Sequence, residues 1–291
     1  MLKLHFKNAR FIKIFFQIFL SIFLLTSCQN SHNHRIQWWF NSIECTYNVL
    51  AGEGLSIALI DSGVDKNHPD LKHCDIETIN LLDEQQKSDM KHGTAMAGVM
   101  CAIPNSDDGL IGIVPGISIF DIVVIDEDGY CSNELLANAI TIATEKGVDI
   151  INISIGTATD SPAIKKAINE ALSRDIIVVA ATSNAGLEEV IYPSSYDGVI
   201  KVIPVDKDGQ YLYGSIDPEK RDTYIKAPGK DIVTTMINKN KFYTPMDGTS
   251  ISTAIASASI ARVLYDYPTI DRTTVLNSLY AQDMITISTP F

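Results

Sequence analysis

Five short runs dominated by apolar and β-branched residues punctuate the chain, at Leu55–Ile60, Ile117–Ile125, Asp149–Ile155, Ile176–Ala181 and Val199–Val205. Each has the length of a strand buried on both faces. Between them lie segments with helical spacing. From Ser132 to Lys146, residues Leu135, Leu136, Ala139, Ile140 and Ala143 share one face, and the pattern stops at Gly147, a residue that readily ends a helix. The segment from Ser161 to Arg174 opens with Ser-Pro, an N-cap followed by proline at the first helical position. Strands alternating with helices predict an α/β fold: a mainly parallel sheet with helices on both faces.

The chain has 291 residues, 46% hydrophobic and 20% charged, enough to bury a substantial core. With no internal repeat, linker or composition shift after residue 54, one domain over 54–291 is the economical division, preceded at 28–53 by a short stalk and N-terminal arm. Thirty-five acidic residues face 23 basic ones, for a net charge of −12. Nucleic acid is therefore not an expected partner.

Residues 1–27 depart from that balance, holding Lys3, Lys7, Arg10 and Lys13 but no acid. An apolar run from Ile14 to Leu25 follows, short for a 30 Å bilayer core but suited to a secretory signal. Its end, Leu25-Thr26-Ser27-Cys28, resembles a bacterial lipoprotein box, in which Cys28 would carry the lipid; an uncleaved signal anchor is the alternative. Either way the remainder is expected outside the cytoplasmic membrane and tethered to it. Four further cysteines, Cys45, Cys74, Cys101 and Cys131, allow three pairings among which the sequence does not choose.

Four element ends carry polar residues that would be poor choices for packing alone. Asp61 closes the first strand, His92 opens the helix-like segment His-Gly-Thr, Asn184 follows the strand IIVVAATS, and Ser250 follows Asp-Gly-Thr ahead of a small-residue helix. In sequence the chain resembles the subtilisin-like serine proteases. The resemblance rests on Ala58-Leu-Ile-Asp61-Ser-Gly-Val-Asp65, His92-Gly-Thr-Ala-Met-Ala-Gly98, Ala181-Thr-Ser-Asn184, Tyr192-Pro193, Ala227-Pro-Gly229 and Gly248-Thr-Ser250. The order Asp, His, Asn, Ser and the separations of 31, 92 and 66 residues fit it. It implies that His92 takes the Ser250 proton, Asp61 orients the imidazole, and Asn184 with the Ser250 N–H receives the oxyanion. His68 matches a structural position instead.

The same resemblance implies that Ser154, Ile155 and Gly156 bind substrate. It puts Ser183 on the wall, and Ile191 at the floor, of the pocket for the residue before the scissile bond. An apolar floor disfavours Arg or Lys there, so a small or moderately apolar residue is expected. Asp126 and Asp128 border the upstream subsites and would favour basic residues two to four positions earlier. No cofactor is required for catalysis; a structural calcium ion at Asp70 and Asn105 is implied. Two departures stand out: Ala254 where the family has proline, and Ser183 where glycine commonly precedes the asparagine.

Only about 25 residues separate Cys28 from the first strand, too few for the folding prodomain common in exported members. That suits a monomeric processing enzyme acting on a peptide or protein precursor, such as the leader peptidases of lantibiotic-type peptides. A broad degradative protease and a catalytically silent binding or immunity lipoprotein are the alternatives.

Overall fold

The computed structural model describes residues 37–185, 190–213, 224–237, 241–280 and 285–287. The expected signal segment 1–27 and Cys28 lie outside them. Among the described residues no helix is long and apolar enough to cross a membrane.

Seven parallel strands form the central sheet: β1 (Ser56–Asp61), β2 (Asp75–Asn80), β3 (Ser118–Val123), β4 (Ile150–Ile153), β5 (Ile177–Ala181), β6 (Ile200–Val205) and β7 (Tyr224–Pro228). Their spatial order is β2-β3-β1-β4-β5-β6-β7. All five apolar runs became strands, trimmed by a residue or more at most ends. The order reverses direction beside β1, and the carboxyl ends of strands at such a reversal open a crevice where ligands bind.

Helices cover both faces, as the alternating pattern implied. On one face, α3 (Asn133–Lys146) and α4 (Pro162–Ser173) pack through Leu136, Ala139, Ile140, Ala143, Ile164 and Ile168. Their ends follow the sequence signals: the Ser132 hydroxyl accepts the Leu135 N–H at 3.1 Å, Gly147 is left-handed at φ 70°, and Pro162 sits in the first turn after the Ser161 cap. On the other face lie α2 (Lys91–Cys101) and α5 (Thr249–Asp266).

Helix α5 is buried almost all round, from Thr249 to Val263 except Ser250. Its small residues allow close approach to the sheet, and two of its hydroxyls find acceptors there. Ser252 Oγ donates to the Pro228 carbonyl at 2.9 Å and Ser257 Oγ to Asn152 Oδ1 at 2.9 Å. A two-stranded antiparallel hairpin, β8 (Ile232–Thr235) and β9 (Tyr243–Met246), leads into it.

The arm ahead of β1 is packed onto this core. Helix α1 (Trp38–Ser42) buries Trp39 and Phe40, and Ile43 and Ala51 follow them inward. Arg262 on α5, itself buried, holds the arm by donating to the Thr46 carbonyl at 2.8 Å and to Thr46 Oγ1 at 3.2 Å. Its charge is matched by Asp266 at 2.8 Å. A final helix, α6 (Arg272–Tyr280), packs through Val275 and Leu279. Cys45, Cys74, Cys101 and Cys131 are all free thiols.

Candidate active site

Asp61 ends β1 with its side chain fully buried. Its oxygens lie 2.8 and 2.9 Å from His92 Nδ1. A carboxylate can only accept, so Nδ1 carries the proton and Nε2 is left as a base. The backbone N–H of Ser62 adds a bond to Asp61 Oδ1 at 2.7 Å.

The turn after Asp61 and the first turn of α2 are locked together. Ser62 Oγ accepts the Gly93 N–H at 3.1 Å, and Thr94 Oγ1 accepts the Asp65 N–H at 2.8 Å. The Gly63 carbonyl occupies the place a Cβ on Gly93 would need, so only glycine permits this approach. From the far side, Thr235 Oγ1 donates to the Thr94 carbonyl at 2.6 Å. The hairpin that leads to Ser250 therefore also grips the helix that carries His92.

Burial pulls the His92 pKa down, but the charge and hydrogen bond of Asp61, with the charge of Asp89, outweigh it and leave the imidazole above its ordinary value. Asp89 is itself held by Lys91, whose N–H lies 3.0 Å and whose Nζ 2.8 Å from its oxygens.

Ser250 stands in the first turn of α5, where helix N–H groups favour negative charge. The helix is entered through Gly248 at φ 134°, a conformation that side-chain-bearing residues rarely adopt. Asn184 follows β5, and its Oδ1 accepts from the Thr249 N–H at 2.9 Å and from Thr249 Oγ1 at 3.0 Å. With the oxygen so held, the amide nitrogen faces the other way as a donor. Among the described residues the Ser250 hydroxyl donates to the Ser154 carbonyl at 3.3 Å.

Ser154 follows β4, and its own hydroxyl accepts from Asn152 Nδ2 at 3.1 Å. Beyond it, Thr157 and Tyr192 exchange backbone hydrogen bonds of 2.9 and 2.8 Å. This brings the Ile191 side chain against Gly156, so closely that a Cβ on Gly156 would collide with it. Ile191 thus packs against Gly156, two residues beyond the Ser154 whose carbonyl meets Ser250. Next to them opens a cavity of about 520 Å³ lined by Tyr130, Cys131, Glu134, Leu136, Ile155 and Thr157 among others.

Asp61 paired with His92 at the end of β1, and Asn184 after β5 bonded to the residue before Ser250, accord with the comparisons to known proteins. The Subtilase family model matches residues 52–285. The chain belongs to the subtilase family. It is 30% identical to subtilisin DY of Bacillus licheniformis over 233 residues, covering 78% of this chain and 83% of that protein. Among solved structures, sphericase superposes with a TM-score of 0.71 at 26% identity, covering 84% of this chain and 89% of that one. The prenylagaramide maturation protease PagA superposes at 0.63 with 28% identity, covering 72% and 74%. This subtilase is accordingly a serine endopeptidase acting on peptide or protein substrates, and its catalysis needs no cofactor.

Two expected roles are corrected. Asp70 was expected to ligate calcium with Asn105, yet it is 1% exposed and its oxygens face protein donors. Oδ1 accepts the Asn105 N–H at 2.9 Å; Oδ2 accepts the Leu110 N–H at 2.8 Å and the Tyr243 hydroxyl at 2.7 Å. Donors aimed at a carboxylate leave no place for a cation, so these residues do not fit the ion. No group of three or more His, Cys, Asp or Glu among the described residues is placed to hold a metal.

Asp126 was expected to face upstream substrate residues, but it organises its own loop. Its Oδ1 accepts from the Asp128 and Tyr130 N–H groups at 3.1 and 2.9 Å, and its Oδ2 from Gln86 Nε2 at 3.2 Å. Asp128 is exposed. His68 is structural as expected: Nδ1 accepts the Asp70 N–H at 3.2 Å, leaving Nε2 to donate to the Phe242 carbonyl at 2.8 Å.

Sequence reasoning passed over three residues at this subtilase's site: Thr249, which orients Asn184; Asp89, which acts on His92; and Asp121, buried beneath the Asp61 turn. Asp121 did leave a signal, as the one acid within the apolar run Ile117–Ile125.

Proposed function

We propose that this subtilase is a lipid-anchored, extracytoplasmic processing peptidase that cleaves a peptide or protein precursor through Asp61, His92 and Ser250. The observation that carries the catalytic part is the closed Asp61–His92 pair, supported by an Asn184 amide oriented by Thr249, the residue before Ser250. As substrate enters, the Ser250 hydroxyl rotates from the Ser154 carbonyl toward His92 Nε2, a tightening common when a Michaelis complex forms. Its proton passes to Nε2 as the oxygen attacks the scissile carbonyl, and Asp61 stabilises the imidazolium. Asn184 Nδ2 and the Ser250 N–H receive the oxyanion, a donor of this kind being worth about 3–4 kcal/mol. His92 then protonates the leaving amine, and water repeats the sequence on the acyl-enzyme.

Specificity follows from the packing of Ile191 on Gly156. Ile191 against Gly156 leaves room for a small or moderately apolar residue before the scissile bond and offers a long cation no counter-charge. The neighbouring cavity, with Leu136 and Ile155 in its walls, takes an upstream side chain, and exposed Asp128 favours a basic one. A restricted first pocket suits processing better than bulk digestion, and PagA is a maturation protease by name. The anchor reading rests on the Leu25-Thr26-Ser27-Cys28 sequence.

A fluorophosphonate probe tests the catalytic reading: it should label the wild type at Ser250 and leave Ser250→Ala unmodified. Absence of labelling on folded wild type would overturn it. Digestion of unfolded casein to small fragments would replace processing with broad degradation, and Cys28→Ala left in the membrane fraction would remove the lipid.

A further inference from the structure

Strand β3 lies between β1 and β2 and is lined by Ile119, Ile122 and Val123. One of its side chains, Asp121, is an acid with no exposed surface. A buried carboxyl is costly unless it is paired or hydrogen-bonded. Asp121 is paired on one oxygen only. Its Oδ2 accepts the Val64 N–H at 3.1 Å, while Oδ1 has no partner among the described residues. Burial pushes its pKa up to about 6, opposed by the Thr78 hydroxyl, the Val64 N–H and the charge of Lys66, and assisted by the charge of Asp61.

The position of Val64 gives this acid a role. Val64 lies in the turn Ser62–Asp65, which joins Asp61 to the first turn of α2. Toward α2 the turn is held by the Ser62–Gly93 and Thr94–Asp65 bonds. Toward the sheet it is held by Asp121. Pulling on Val64 N–H sets how far the turn sits above the sheet, and hence where Asp61 meets the imidazole. A carboxylate accepts an N–H roughly twice as strongly as a neutral group.

We propose that Asp121 is a positioning residue for peptide hydrolysis, whose ionised carboxylate holds the Ser62–Asp65 turn through Val64 and keeps the Asp61–His92 pair aligned. The inference rests on the reading of that pair as the acid–base machinery. The charged groups acting on Asp121 are Asp61 from the end of β1 and Lys66 from the loop beyond it; β2 contributes the neutral hydroxyl of Thr78. Two protonations then depress activity on the acid side: that of His92, which removes the base, and that of Asp121, which slackens the turn.

The test is the pH dependence of kcat/KM on a peptide substrate for the full chain and two variants. For the wild type, the logarithm should fall with a slope greater than one over the interval in which Asp121 takes up its proton, returning to one below it. Asp121→Asn keeps an acceptor for Val64 without titrating; it should stay within about tenfold of wild type at pH 8, with KM unchanged, and its acid limb should have a slope of one. Asp121→Ala, which leaves the Val64 N–H unpaired, should lose about 10- to 100-fold in kcat. The same steepened interval retained in Asp121→Asn, or a wild-type profile in Asp121→Ala, would overturn the proposal. Ser250→Ala and His92→Ala run alongside: if either remains active the catalytic reading itself has failed, whereas if both are dead the Asp121 result judges this inference alone.

Discussion

On the Asp61 side of the site the donor and acceptor meet at 2.8 Å, and bonds from the sheet, the following turn and the β8–β9 hairpin hold them there. On the Ser250 side the asparagine is equally fixed, yet the hydroxyl is engaged 3.3 Å away with the Ser154 carbonyl. The contrast has a chemical reason. The Asp–His pair carries charge that must be balanced whether or not substrate is present, so it is held rigidly, with Asp61 wholly buried. A serine hydroxyl is neutral and needs a partner only while it attacks, and a single torsion moves it. Preorganisation is concentrated where reorganisation would be expensive.

Substitutions can break that division of labour. The largest effect should come from the mobile half: Ser250→Ala should lower kcat by roughly 10⁵–10⁶-fold with substrate affinity retained, as steady-state kinetics and substrate protection of a bound fluorophore would show. Asn184→Ala, which removes a fixed donor but no reacting group, should cost about 10²–10³-fold in kcat with little change in KM. A loss falling mainly on KM would mean that Asn184 binds the ground state instead. Thr249→Val keeps the backbone N–H on Asn184 Oδ1 and deletes the hydroxyl, so the amide should loosen without being released. That predicts about a 2- to 10-fold drop in kcat.

What the sequence disclosed follows the same line between apolar pattern and polar exception. The five buried strands were legible because their residues face hydrophobic layers on both sides. β2 was missed because it is an edge strand, with Asp75, Glu77, Thr78 and Asn80 exposed and only Ile76 and Ile79 turned partly inward. The motif residues Asp61, His92, Asn184 and Ser250 were legible because each breaks a pattern at an element end. Asp70 and Asp126 were misread for a specific reason. A carboxylate followed by an oxygen-rich loop looks like a cation or substrate site, and nothing in the sequence reveals that backbone N–H groups will converge on it. Asp121 was absorbed into an apolar run whose period it did not disturb.

The smallest effect probes the rigid half through its charge. Asp89 is more than a third exposed and paired with Lys91, and it is one of the groups raising the His92 pKa. Asp89→Asn removes that contribution and should move the acid limb of kcat/KM to lower pH, leaving the rate on the alkaline plateau unchanged. The effect should shrink in salt, since an exposed charge is screened. Stability must move the opposite way along the pH axis. Because the folded-state pKa of His92 is raised, its ion pair with Asp61 stabilises the fold fully below the ordinary histidine pKa and loses that contribution as pH rises through the raised value. Activity therefore appears over the interval in which this stabilisation is withdrawn. In Asp89→Asn both transitions should shift downward together, read by kcat/KM and by melting temperature across pH. If only one shifts, the group limiting activity on the acid side is not the imidazole that Asp61 holds.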